Sequence, residues 1–205
     1  PCPTAVCEGP GRCWSARDCR ADMTSIQEYC ASTGRELGAS PPMAVAAQPL
    51  TWVDSAPWQR IESPEPAAVI FVDPGAHRDG FSPNAVATCA RVAPAMATDT
   101  AVDMIVSTAD ALADWTLLDE VAGEGDESAG AVRSVYRYLR GTYTAEPGAL
   151  ATSSLIVGWS DSEATYVFQF VVTGWSEDAD LHDHALGCLL IGEWTAAQIV
   201  DAMRG

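Results

Sequence analysis

The residue types with most chemistry to offer are three histidines, seven cysteines and eleven arginines, spread over 205 residues. His182 and His184 lie in the stretch DADLHDH beside Asp178, Asp180 and Asp183. Two imidazoles and a carboxylate can hold a divalent metal that activates water, so residues 178–184 offer a metal-dependent hydrolase. That chemistry needs an extended segment, which would point both rings one way. In a helix, a spacing of two splays them onto opposite flanks, and a helix is what the segment predicts. His77 sits in DPGAHRDG with Asp73 and Asp79. The ordered D-x-D-x-D-G spacing of a calcium loop is missing and Arg78 interrupts it, so a surface loop is expected.

Arg133, Arg137 and Arg140 are the only cations between Arg91 and Arg204. Arg133 and Arg137 share a strand face and could grip a carboxylate, sulfate or phosphate. Equally, they could neutralise the acidic stretch 119–127. Trp58, Trp115, Tyr136, Tyr138 and Trp159 either line an apolar groove or form plain core. The candidate ligand-binding set is therefore Arg133, Arg137, Tyr136, Tyr138 and Trp58. No catalytic residue and no metal or other cofactor is expected, because the chain carries no P-loop, G-x-G-x-x-G, G-x-S-x-G or H-E-x-x-H pattern. With 28 acidic residues, paired carboxylates arise by chance too easily to be informative.

The cysteines divide unevenly. Cys2, Cys7, Cys13, Cys19 and Cys30 crowd the start, without a C-x-x-C or any histidine before His77, which disfavours a zinc module. A disulfide-stapled arm would suit an oxidising compartment, although five is an odd number. Cys89 and Cys188 read as buried small hydrophobes.

These groups need a scaffold, and composition describes an ordinary globule: 48% hydrophobic and 19% charged residues. The formal charge of −17, with no lysine at all, argues against nucleic acid and anionic lipid surfaces as partners and leaves room for a cationic one. No apolar stretch is long enough to cross a membrane. Residues 1–22 lack the apolar core of a signal peptide, so the chain reads as cytoplasmic or as already processed.

Residues 67–92 organise the rest. Two strand-like runs, 67–73 and 85–92, flank a turn-rich insert, and the first is apolar throughout, as suits a strand covered on both faces. Residues 1–23 read as an irregular Cys-rich arm. Residues 24–48 read as a short helix, capped by Thr24 or Ser25 with Gln27 or Glu28, followed by a linker. A single domain then spans 49–205. Short strands are expected at 50–53 and 58–61. A helix over 99–114 carries Val102, Ile105, Val106 and Leu112 on one side, with Thr98 or Asp99 at its start. Strands follow over 115–121, 131–143, 149–160 and 164–173, the last three as a meander with the final one central. Val132, Tyr136 and Tyr138 share one face of the second strand, while Arg133, Val135, Arg137 and Leu139 share the other. Glu177 and Asp178 open a second helix, and Thr195 with Gln198 caps a short terminal one. The fold class is α+β, an antiparallel sheet flanked by helices.

The order of several short motifs adds to this: TSIQEY at 24–29, FVDP at 71–74, FSPNAV at 81–86, the amphipathic helix at 99–113 and GTY at 141–143. Together, over 24–191, they resemble the mycobacterial LpqN/LpqT lipoprotein family. The resemblance implies a PsbP-like α/β sandwich. It also implies a non-enzymatic, envelope-associated or secreted actinobacterial protein that binds a protein partner or an apolar ligand. Relatives are often lipid-anchored through an N-terminal cysteine. Here none of the early cysteines follows an apolar leader, so a cytoplasmic member is the alternative. Besides the hydrolase, the other alternative is a structural subunit of a larger envelope assembly.

Overall fold

The apolar run at 68–72 pairs antiparallel with 84–93, and this pair seeds the sheet that carries everything else. The computed structural model describes residues 25–63, 68–125, 132–146 and 148–205; the arm expected over 1–23 lies outside them. Helix α1 (Ile26–Thr33) leads into β1 (Glu36–Ala39), β2 (Ala44–Val45), β3 (Gln48–Trp52), β4 (Gln59–Ile61), β5 (Ala68–Val72) and β6 (Asn84–Ala93). Helix α2 (Thr98–Val106) passes into a 3-10 turn, Ser107–Ala111, and then come β7 (Thr116–Gly125), β8 (Ser134–Ala145), β9 (Gly148–Ser160) and β10 (Thr165–Trp175). Helix α3 (Ala179–Cys188), β11 (Leu189–Ile191), β12 (Trp194–Thr195) and helix α4 (Ala196–Arg204) complete the chain.

The large sheet runs β4–β5–β6–β10–β9–β8–β7, with β1 pairing the far end of β6 beyond β5. Every pair is antiparallel, and the meander and the central place of β10 are as the sequence predicts. A smaller sheet, β12–β11–β3–β2, lies apart from it.

Strand alternation builds two cores. Phe71, Tyr138, Leu155, Val157, Phe168 and Phe170 face α3, α4 and the small sheet. Val92, Val135, Leu139, Ile156 and Val167 face α1 and α2. Each large apolar side chain buried this way contributes about 1.5–3 kcal/mol. The architecture is thus a mixed α+β sandwich, one antiparallel sheet between two helical layers.

Local differences from the sequence reading have physical causes. Ser25 and Glu28 form the capping box, and Gly34 closes α1 in the left-handed region at φ 68°. The stretch expected as a short helix and linker also contains β1, where the helix runs out, and β2 within the linker, held by pairing with β6 and β3 that no local signal announces. Strand β5 is only half-covered along most of its length, because the core under α1 and α2 includes none of its residues and Phe71 alone is buried on the other side. Helix α2 is shorter than its periodicity predicts, and Ala97 stands at its cap without a side-chain bond. Thr98 instead shares a hydrogen bond with Ser160 at 2.8 Å.

Candidate functional site: a groove along the β7 edge

A broad concavity is built by the chain's last hairpin and helix. Strands β11 and β12 are joined through Gly192 and Glu193, with Ile191 opposite Trp194. Gly192 has φ 64°, a left-handed conformation that glycine adopts without strain, and its N–H donates to the Pro49 carbonyl at 2.9 Å, which lays the turn against β3. Thr195 and Gln198 close the capping box that starts α4. The buried face of α4 holds Ala196 and Val200. Its flank carries Ile199, Ala202 and Met203 toward β7 and β8, leaving a groove of about 860 Å³. Trp194 stands at the mouth, 56% exposed.

Four successive β7 residues, Ala122 to Gly125, line this groove. Neighbouring strand residues point to opposite faces, so a run of four places the groove along the strand's edge. That edge is the end of the sheet order, where β7 pairs only with β8 among the described residues. Glu124 and Glu193 are the charged lining residues. Glu124 is met by Arg133 at 3.2 Å, whereas Glu193 has no ion pair among the described residues.

The five residues singled out from sequence do not converge. Tyr136 lines the groove. Tyr138, two residues on and on the same face, is 1% exposed and donates its hydroxyl to Ser153 Oγ at 3.4 Å. Burial pushes its phenol pKa up. Trp58 is core, edge-on to Trp52 at 6.4 Å between ring centres. Arg133 and Arg137 lie on the α2 side, where Arg137 donates to the Tyr136 carbonyl at 3.1 Å and sits 3.7 Å from Asp103. Of the other aromatics, Trp159 stacks on Tyr166, and Trp115 lines a separate small cavity under the 3-10 turn.

The histidines are equally dispersed. Helix α3 puts His182 inside and His184 outside, so the two-imidazole arrangement of the hydrolase alternative is not formed. His182 has no exposed surface, and among the described residues neither ring nitrogen finds a partner. Burial, with Arg140 nearby, brings its pKa down to about 4. His184 Nε2 lies 3.2 Å from Ser55 Oγ, and His77 Nδ1 2.8 Å from Ser82 Oγ. Among the described residues no group of three or more His, Cys, Asp or Glu side chains is set to hold a metal. Cys30, Cys89 and Cys188 are free and buried, and burial pushes the Cys89 thiol up to about 12. Among the described residues no helix is long and apolar enough to cross a membrane.

Sequence reasoning missed Trp194, Glu193 and the groove-facing side of α4. Ile199 and Met203 belong to an apolar helical stripe, which marks packing without saying that one flank stays open.

No protein-family model matches the sequence, and no curated protein matches it. The fold does have a likeness. LpqN of Mycobacterium tuberculosis, whose crystal structure is described as that of a protein involved in cell envelope biogenesis, superposes with a TM-score of 0.66 at 14% identity, over 85% of this chain and 97% of that one. The fold is LpqN-like. A Mog1 variant overlaps 82% of this chain and 90% of its own, at 10% identity and a TM-score of 0.38, a level that carries no argument.

Proposed function

We propose that the chain is a non-enzymatic binding or accessory protein of the cell envelope, which takes a protein partner or an apolar ligand in the groove between the β7 edge and α4. The observation that carries this is Trp194, held in the open at the mouth of a groove whose α4 wall, with Met203 and Ile199, is apolar. A large exposed aromatic beside a concave apolar wall is a usual mark of a binding surface. The envelope setting leans on the LpqN-like fold and on the involvement of LpqN itself in cell envelope biogenesis.

Native mass spectrometry of the protein taken from its own source, wild type beside Trp194→Ala, tests the reading. The expected result is a retained ligand or partner of fixed mass in the wild type that is depleted in the variant. A wild-type protein that carries nothing, or an adduct indifferent to Trp194, would overturn it.

A further inference from the structure

We propose that the occupant of the groove is an extended peptide segment carrying Arg or Lys together with an aromatic or aliphatic side chain. This rests on the binding reading above and narrows it to one class of partner. Three observations support the choice.

The first is shape. Because consecutive residues Ala122 to Gly125 all line the groove, its long wall is a strand edge, where main-chain N–H and C=O groups face outward. A second extended chain satisfies such groups by adding a strand, which an apolar small molecule cannot do. The second is the opposite wall. Trp194, Ile199 and Met203 offer an apolar surface to alternate side chains of the added strand. The third is charge. Arg133 meets Glu124 from the α2 side, which leaves Glu193 as the open carboxylate beside Trp194. Among the described residues no Arg or His lines the groove, on a chain of formal charge −17. Acidic peptides are repelled and cationic ones steered toward Glu193, with the indole of Trp194 also available to a guanidinium face.

The test uses a random heptapeptide library displayed on phage and panned against the full chain, with counter-selection on Glu193→Lys and Trp194→Ala. Both positions are exposed, so both variants should fold as wild type does. Selected peptides enriched in Arg or Lys alongside Trp, Phe or Leu are expected. Their affinity should fall roughly 3- to 10-fold with Glu193→Gln and weaken as salt is raised. Amide resonances of residues 122–125 should shift on binding. The neutral apolar fluorophore N-phenyl-1-naphthylamine is titrated in parallel. Trp194-dependent peptides without basic enrichment would overturn the inference and leave the groove reading standing. So would fluorophore binding that depends on Trp194 with no peptide selected. If neither peptide nor fluorophore responds to Trp194, both the inference and the reading fall.

Discussion

Arg204 Nη2 donates to Asp119 Oδ2 at 2.6 Å while Nη1 donates to Asp201 Oδ1 at 3.0 Å, tying the last turn of α4 to β7. A register shift in β7 between Leu117 and Asp119 brings that carboxylate into reach and leaves Leu118 60% exposed. The same bulge and the charges at Asp119 and Glu120 discourage indiscriminate pairing along the first part of the edge, which leaves the Ala122–Gly125 end to a partner.

The pair therefore sets the width of the groove more than it sets stability. Both side chains are substantially exposed, and such a pair is worth under about 1 kcal/mol. Arg204→Ala should leave global unfolding nearly unchanged but raise amide exchange in α4 by up to about fivefold, since local opening is what the bond opposes. Asp119→Asn should do the same and the double variant no more. Unaltered exchange in both single variants would remove the pair from any role in shaping the groove.

Gly158 lies on β9 beneath α2. A Cβ placed there would run into Val102 Cγ2 and stand 2.8 Å from Thr98 Cγ2. Both are β-branched side chains with little freedom to turn away within a helix. Gly158→Ala should then cost about 1–3 kcal/mol by pushing α2 off the sheet, measured as a lower urea midpoint at constant slope. Gly123→Ala provides the contrast. Its Cβ would meet Met203 Cγ at 2.6 Å, but methionine is unbranched and can move, so the cost should be smaller and Met203→Ala should relieve it.

His182 makes stability depend on acid. In the unfolded chain the ring has its ordinary value of 6.5, whereas burial holds it near 4 in the folded one. Between those values the unfolded state binds the extra proton, so stability falls as pH drops from about 6.5 toward 4. The loss at the lower end is at most about 3 kcal/mol. Replacing His182 by Met keeps an apolar filler and removes the proton site. Denaturant melts at a series of pH values should show the wild-type slope in that window and a flatter one in the variant. Equal slopes would mean that His182 is hydrated or partnered in solution.

What could be read from sequence was what local chemistry decides. The capping boxes at Ser25 and Thr195, the meander and the two faces of β8 follow from side-chain type and alternation, and the structure has them. The overall α+β class followed from the same signals. What could not be read depends on distant partners. Two-residue β2 exists because Ala44 and Val45 meet Pro49 and Gln48, and β1 exists because Ala90–Ala93 lies free beyond β5. The sequence-derived set is dispersed in the structure for the same reason. Alternation correctly separates Arg137 from Tyr136, and so it already placed the two halves of the proposed set on opposite faces of the sheet. Whether Tyr136 is open and Tyr138 closed depends on where α4 crosses, 60 residues later in the chain, which only the tertiary packing decides.

That last difference gives a test of which aromatic residues belong to the groove. Tyr138 is sealed beneath α4, with the Arg204 guanidinium 5.7 Å from its ring centre, and its hydroxyl donates to a fully buried Ser153. Tyr138→Phe should cost about 1 kcal/mol of stability, because Ser153 loses a polar neighbour, and should leave groove binding as it was. Tyr136→Ala removes part of the groove's lining while a half-buried position tolerates the change, so binding should weaken several-fold with a smaller structural penalty per atom lost. The selected peptides or the fluorophore provide the readout for both variants, and thermal melts provide the stability control. A Tyr138→Phe protein that folds normally yet loses binding would move the site inward, to the cavity side of α4. A Tyr136→Ala protein that binds unchanged would move it off the β8 wall altogether.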